Sequence, residues 1–76
     1  MTVEVCLAKV GFSMSEGRLV EWLVNDGDKV NEDQAIYTVE SEKAIEEITS
    51  PASGIIRIKK EAGEVYKVGE VLGEIE

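Results

Sequence analysis

Residues 20–40, VEWLVNDGDKVNEDQAIYTVE, and residues 56–76, IRIKKEAGEVYKVGEVLGEIE, show the same spacing of features when one is shifted by 36 positions. The turn residue Gly27 aligns with Gly63. An acid and apolar residues then follow at equal offsets: Asp28 with Glu64, Ile36 with Leu72, Val39 with Ile75, and Glu40 with Glu76. Two such half-repeats predict two similar small sheets related by a quasi-twofold axis, because neither sheet could bury its apolar face alone.

Composition and turn residues favour β structure throughout the chain. Val and Ile number 17, whereas Leu and Ala number 9, and β-branched side chains suit strands better than helices. Turn residues recur at intervals typical of short strands: Gly11, Gly17, Asn25–Gly27, Pro51–Gly54, Ala62–Gly63, Gly69 and Gly73. We expect strands near residues 2–8, 18–24, 35–41, 44–50, 54–60 and 71–76, with short extended segments at 29–30 and 66–67. The predicted fold class is all-β, a flattened barrel or sandwich of two small antiparallel sheets.

The segment that joins the half-repeats, Val39–Glu47, contains a hairpin turn of unusual composition, VESEKAIEE. Hairpin turns usually contain Gly, Asn or Asp because the favoured geometries need positive φ, and this tip has none of them. We therefore expect a type I turn with Glu42 and Lys43 at its centre. Because Glu40 corresponds to Glu76, Lys43 should project from the tip opposite the chain ends.

Length and composition limit the possible functions. The chain has 76 residues, which suits a single domain over residues 1–76 and leaves no room for a deep catalytic cleft. It has no histidine and one cysteine, Cys6, so neither an internal disulfide nor a His/Cys metal site can form. The net charge of −8 disfavours nucleic acid and anionic membranes as partners. We expect an intracellular protein whose partners are proteins or small molecules. An enzyme is the class that the sequence favours least, and no catalytic residue is identified.

Lys43 is distinguished by its surroundings. It is the only basic residue between Val30 and Ile56, a span that contains six acidic residues: Glu32, Asp33, Glu40, Glu42, Glu46 and Glu47. An exposed lysine is more often a solubilising side chain than a functional one. Lys43 is the candidate site because it lies between the two half-repeats, not because it is exposed.

Five other side chains could have either a functional or a structural role: Cys6, Phe12, Met14, Trp22 and Tyr37. Cys6 alternates with the apolar face of the first strand and has no neighbouring base or cation that would activate it, so we assign it no redox role. Trp22 and Tyr37 are predicted to be packing residues. Phe12 and Met14 lie in a predicted loop, where recognition and packing are both open interpretations.

The motif ESEKA at residues 40–44 is preceded by GDKV at 27–30 and AIYTVE at 35–40, and followed by IEEITSPASGII at 45–56. This arrangement resembles the biotinyl/lipoyl carrier domain family, and most of all the lipoyl domains of 2-oxo-acid dehydrogenase acyltransferases. The resemblance extends to LAKVGFSMSEGRLVEW at 7–22 and GEVYKVGEVLGEIE at 63–76, and so covers nearly the whole chain. It implies a barrel-sandwich hybrid fold with a modified lysine at a hairpin tip.

The resemblance also implies a function. Lipoic acid would be attached covalently to Lys43, with Glu42, Ala44 and Glu40 as the recognition context, and the lipoyl-lysine would act as a swinging arm for acyl groups and reducing equivalents. The implied partners are a lipoate ligase or lipoyl transferase, a thiamine-diphosphate decarboxylase, the acyltransferase core and dihydrolipoamide dehydrogenase of a 2-oxo-acid or acetoin dehydrogenase complex. The implied location is the cytoplasm of a bacterium or the mitochondrial matrix of a eukaryote.

Alternatives remain open within and outside the family. Biotin carriers typically have Met on both sides of the lysine, whereas this chain has Glu42 and Ala44. Two residues depart from the usual lipoyl pattern: Glu42 replaces the more common Asp, and Ala8 stands where proline is common. A lesser alternative is a small β interaction module without a cofactor, although four aromatic residues in an acidic chain make an aromatic or basic binding face hard to identify.

Overall fold

The computed structural model describes residues 2–9, 14–42 and 44–76. Its elements are β1 (Val3–Cys6), β2 (Glu16–Trp22), β3 (Lys29–Val30), β4 (Ala35–Glu40), β5 (Ile45–Thr49), β6 (Gly54–Ile58), β7 (Val65–Lys67) and β8 (Val71–Ile75). Every strand expected from the sequence is present, with ends that differ by at most two residues. Within the described ranges, no helix is long and apolar enough to cross a membrane.

The strands form two four-stranded antiparallel sheets. The first sheet has the order β1-β8-β6-β3 and the second has the order β5-β4-β2-β7. Each strand has a counterpart in the other sheet: β1 in β5, β8 in β4, β6 in β2 and β3 in β7. Corresponding cross-strand pairs are Trp22 with Tyr37 in the second sheet and Ile58 with Gly73 in the first. The all-β fold class of two sheets with quasi-twofold symmetry is therefore confirmed.

Backbone hydrogen bonds cross between the two halves at the turn glycines. The N–H of Gly27 donates to the carbonyl of Ile56 at 2.8 Å, and the N–H of Gly63 donates to the carbonyl of Leu19 at 2.6 Å. Both glycines have a positive φ, 91° and 95°, which residues with a Cβ rarely adopt. The turn of each half thus binds a strand of the other half.

Residues of both sheets form one apolar core: Val5, Leu7, Leu19, Val30, Ile36, Tyr37, Val39, Ile56, Leu72 and Ile75. Two pairs of half-repeat counterparts, Ile36 with Leu72 and Val39 with Ile75, are among them. Burying an aliphatic side chain of this size contributes about 1.5–3 kcal/mol relative to leaving it exposed. The equivalent apolar positions of the two half-repeats therefore supply much of one shared core.

The structure corrects the first position of the aligned half-repeats. The alignment pairs Val20 with Ile56, but Val20 is the extra residue of a β-bulge that follows Leu19. Leu19 lies opposite Val39, and Ile56 lies opposite Ile75, so Leu19 is the structural counterpart of Ile56. Val20 has no counterpart and is 37% exposed. Because Val20 is apolar and directly follows the core residue Leu19, the sequence does not mark it as the inserted residue.

Two of the expected turn glycines lie inside strands instead. Gly17 belongs to β2 and Gly73 belongs to β8, and the expectation of a turn is wrong at both. A Cβ on residue 73 would lie 2.6 Å from the carbonyl oxygen of Arg57, and a Cβ on residue 17 would clash with the side chain of Met14. Glycine within a strand often marks such a close approach. A third expected turn residue, Gly11, lies outside the described residues.

The turns at residues 31–34 and 67–70 also correspond, but they differ at the position that needs a positive φ. Asp33 has φ 70° and Gly69 has φ 90°. The left-handed conformation costs a residue with a Cβ about 1–2 kcal/mol, and Asp and Asn adopt it more readily than other residues. One half therefore tolerates an aspartate where the other half has glycine.

We predict that Gly69→Ala lowers the free energy of unfolding by about 1–2 kcal/mol. No atom lies within 4 Å of the added Cβ, so the loss comes from backbone strain alone. Gly69→Asp is the matched control, because Asp33 holds the corresponding position, and it should lose less. Urea unfolding measures both variants, and equal losses would contradict this account of the turn.

Candidate functional site

The hairpin between β4 and β5 carries the predicted attachment site. Lys43 lies outside the described residues, whereas Ser41, Glu42 and Ala44 are described. The N–H of Ser41 donates to the carbonyl of Ala44 at 2.8 Å. The Ser41 hydroxyl donates to the same carbonyl and accepts from the N–H of Ala44, both at 3.3 Å. A serine side chain thus helps to close the turn, which explains in part how the tip does without glycine.

The backbone of the tip is consistent with this closure. Among the described residues other than glycine, Asp33 alone has a positive φ, so Glu42 has a negative one. Turns of types I′ and II′ need a positive φ at the first central position, which excludes both for a turn centred on Glu42 and Lys43. The type I turn stays a prediction, because its second central residue is Lys43.

The hairpin tip lies one strand length from the end of the molecule that holds Glu76. β4 begins directly after the turn at residues 31–34. Val30, just before that turn, pairs with Gly54, and the next residue, Ile55, exchanges backbone hydrogen bonds with Glu76. β4 then runs for six residues, a span of about 20 Å, before the tip begins. The tip and Glu76 therefore lie at opposite ends of β4.

Acidic side chains surround the tip. Glu40 is half-buried, and Glu42, Glu46 and Glu47 are exposed. The ion pairs found among the described residues are Arg57–Glu76, Lys59–Glu74 and Lys60–Glu70, all of them away from this hairpin. A cationic surface that approaches the tip would therefore meet carboxylates, with the small, exposed Ala44 between them.

In the loop between β1 and β2, the described residues that directly precede β2 lie at the same end as the tip. The last of them, Ser15, is three positions from Arg18, which pairs with Glu40 at the base of the hairpin. Met14 is half-buried and packs against the core. Packing is therefore shown for Met14, whereas Phe12 lies outside the described residues.

Tyr37 fastens the start of this loop to β4. Its side chain is fully buried, and its hydroxyl donates to the carbonyl of Cys6 at 2.9 Å and accepts from the N–H of Ala8 at 3.0 Å. Burial raises the pKa of Tyr37 above its ordinary value, although the hydrogen bond from Ala8 acts in the opposite direction. The predicted packing role is confirmed, but the anchoring by the hydroxyl was missed, since local sequence does not show which distant backbone a tyrosine reaches.

The two other side chains interpreted from the sequence, those of Trp22 and Cys6, are both half-buried. Trp22 stacks edge to face on Tyr37 with ring centroids 5.5 Å apart, and donates its indole N–H to the carbonyl of Lys60 at 2.9 Å. The described part of the chain contains no cluster of three or more His, Cys, Asp or Glu side chains that could hold a metal ion.

We predict that Tyr37→Phe lowers the free energy of unfolding by about 1–3 kcal/mol, because it leaves a partly buried N–H and a carbonyl without their partner. Tyr66→Phe is the control. The Tyr66 hydroxyl donates to the carbonyl of Glu61 at 2.7 Å at an exposed site, so water can replace it and the loss should be smaller. Equal losses in urea unfolding would contradict the prediction, because they would show that the hydrogen bonds of the Tyr37 hydroxyl stabilise the fold no more than the exposed bond of Tyr66.

The same residue should make stability depend on alkaline pH. The folded pKa of Tyr37 is raised, so its contribution is complete below the unfolded pKa of about 10 and is lost as pH rises through the folded value. The stability difference between wild type and Tyr37→Phe should therefore shrink above about pH 10. Thermal unfolding at a series of pH values measures it, and a constant difference would contradict the prediction.

We further predict that Ser41→Ala speeds hydrogen exchange at the Ala44 amide, while Ser41→Thr, which keeps the hydroxyl, does not. The global free energy of unfolding should change by less than about 1 kcal/mol, since hydrogen bonds at an exposed site contribute little net stability. Exchange measured by NMR separates the two variants. Unchanged exchange in Ser41→Ala would show that the side chain does not close the turn.

Comparison with known proteins gives consistent matches. A family model for biotin and lipoyl attachment, described as "Biotin-requiring enzyme", matches residues 3–75. The dihydrolipoyllysine-residue acetyltransferase component of the pyruvate dehydrogenase complex from Pseudomonas aeruginosa is 45% identical over 62 residues, which are 80% of this chain and 11% of that protein. The component of the same name from Staphylococcus aureus is 36% identical over 77 aligned positions, covering 100% of this chain and 18% of that protein. This chain thus spans less than a fifth of these relatives.

A solved structure is similar over almost the whole chain. The lipoyl domain of the 2-oxoglutarate dehydrogenase complex from Azotobacter vinelandii superimposes with a TM-score of 0.78 and is 27% identical. The match covers 97% of this chain and 95% of that domain. The two chains therefore share the arrangement of sheets described above.

Proposed function

Because the chain belongs to the biotin/lipoyl attachment family, we propose that it is a lipoyl carrier domain in which Lys43 holds lipoic acid in an amide bond. The observation that carries this proposal is the closed hairpin tip: Ser41 and Ala44 are joined by a backbone hydrogen bond at the end of β4 far from Glu76, and Lys43 lies between them in the sequence. The protein of similar fold from Azotobacter vinelandii is a lipoyl domain.

Lipoate is favoured over biotin by the residues next to the lysine and by the relatives. Glu42 and Ala44 flank Lys43, which resembles the lipoyl pattern rather than the paired methionines of biotin carriers. The curated relatives from Pseudomonas aeruginosa and Staphylococcus aureus are named for a dihydrolipoyllysine residue. Biotin attachment at the same lysine is the second candidate, since the family includes both cofactors.

The protein's own contribution is presentation of one amine. Attachment forms an amide between the Lys43 amine and an activated lipoate carboxyl group, and the group activating the carboxyl leaves. When bound, lipoate supplies a disulfide that can accept an acyl group and two electrons. Amide formation also removes the lysine's positive charge, so the hairpin then carries only the carboxylates of Glu40, Glu42, Glu46 and Glu47. These would favour encounter with basic partner surfaces.

The partners follow from this role and form part of the proposal. A lipoate ligase or lipoyl transferase would modify Lys43. A thiamine-diphosphate decarboxylase would load the arm, an acyltransferase core would unload it, and dihydrolipoamide dehydrogenase would reoxidise it, within a 2-oxo-acid or acetoin dehydrogenase complex. On this proposal the domain is a carrier within a dihydrolipoamide acyltransferase and works in the bacterial cytoplasm or the mitochondrial matrix.

Intact mass measures the modification directly. We predict that the 76-residue chain gains one lipoyl group when incubated with a bacterial lipoate ligase, lipoate and ATP, and that Lys43→Arg gains none. Lys9→Arg is a matched control that should be modified like wild type. A biotinyl addition by biotin ligase under the same conditions would select the second candidate. Modification by neither enzyme would contradict a carrier function altogether.

A further inference from the structure

The quasi-twofold symmetry allows each position of the second sheet to be compared with its counterpart in the first. Directly paired residues on neighbouring strands point to the same face. The row nearest the hairpin tip consists of Ile45, Glu40, Arg18 and Val65, and we call it the hairpin row. Its counterpart in the first sheet, continuing the register of β1, consists of Thr2, Glu76, Ile55 and Lys29, and we call it the terminal row.

The hairpin row lies on the outer face of its sheet. Neighbouring residues in a strand point to opposite faces, and Leu19 and Val39, which follow Arg18 and precede Glu40, are fully buried. The side chains of Arg18 and Glu40 therefore point away from the core. With strands about 4.8 Å apart, the row spans about 14 Å across the four strands.

The two rows differ most at their ends. Ile45 is 62% exposed and Val65 is 56% exposed, whereas their counterparts Thr2 and Lys29 are exposed polar residues. The bulge residue Val20, which has no counterpart, adds a third exposed aliphatic side chain in the same sheet. The first sheet also has an exposed aliphatic side chain, Val3 at 38%, and has the half-buried Ile55 where the second sheet has Arg18. Because both halves meet the same packing demands, the fold nevertheless does not require aliphatic residues at positions 45 and 65.

The surroundings of this apolar surface are acidic. The next row on the outer face contains Glu47 and Glu21, paired through Thr38, and Glu42 lies at the tip. A complementary partner surface would have apolar side chains that meet Ile45 and Val65, with lysine or arginine facing the surrounding glutamates, since complementary charge favours encounter and correct orientation.

We propose that the hairpin row and Val20 form the docking surface for the enzyme that attaches the cofactor to Lys43. This inference rests on the proposed function. The attaching enzyme is the partner that reacts at the lysine amine itself, so it must come closest to the hairpin and to the sheet face beside it. Enzymes that act later react at the far end of the arm and can leave that face uncovered.

The test uses Val65 on β7, which is separated from β5 by the two strands β4 and β2 and is distant from Lys43 in the sequence. Val65→Lys gives this position the residue of its counterpart Lys29. With a bacterial lipoate ligase, lipoate and ATP, kcat/KM for the unmodified 76-residue chain should fall about tenfold, mainly through KM, which corresponds to about 1.4 kcal/mol. Val65→Thr keeps the β-branched shape and should show a smaller loss in the same direction.

The reverse exchange, Lys29→Val, is the matched control and should leave kcat/KM unchanged. Wild-type KM in both Val65 variants, or an equal loss in Lys29→Val, would overturn the inference. Exhaustive incubation followed by intact mass should still show full lipoylation of wild type, and that result keeps the proposed function separate from this one. Fully lipoylated Val65→Lys should be reductively acylated at the wild-type rate by a decarboxylase. If that rate falls and lipoylation does not, the surface binds the decarboxylase instead.

Discussion

The two halves of this domain hold each other through backbone hydrogen bonds at Gly27 and Gly63, and the rest of the structure depends on that exchange. Each bond joins a turn of one half to a strand of the other. The short strands follow the same rule, because β3 joins the sheet made by β6 and β8, while β7 joins the sheet made by β2 and β4. Neither half could form its four-stranded sheet alone, which accounts for a shared core in so short a chain.

The hydrogen bonds that each half makes with the other also explain where a functional residue can be placed. Symmetry makes the two ends of the molecule equivalent, yet one end holds Glu76 and the other holds a continuous hairpin. The core and the crossing hydrogen bonds lie elsewhere, and among the described residues of the tip Ser41 closes the turn. On the proposed function, the tip can then serve recognition, and the exposed row from Ile45 to Val65 lies beside it.

Much of this arrangement follows from sequence pattern, because strands, turns and apolar half-repeats are local signals. Gly27 and Gly63 identify crossing turns, and Ile36, Val39, Leu72 and Ile75 are core residues, as their spacing predicts. The bulge at Val20 was missed because the alignment of the half-repeats assumes no insertion, and one extra residue shifts the alternation of a short strand only locally. Gly17 and Gly73 were misread because a glycine that a close contact requires inside a strand looks, in sequence, like a turn glycine. The exposed hairpin row emerges only when both sheets are compared in three dimensions.

On the proposed function, the fold specifies the position of one amine, not merely the presence of a lysine on an acidic surface. Exchanging the two residues at the tip, Glu42→Lys together with Lys43→Glu, keeps the composition and net charge and moves the amine by one position. Lipoylation by a bacterial lipoate ligase, followed by intact mass, should fall to background in this double variant while circular dichroism and the unfolding temperature stay close to wild type. Modification at the wild-type rate would contradict the account, because any exposed lysine in the turn would then serve.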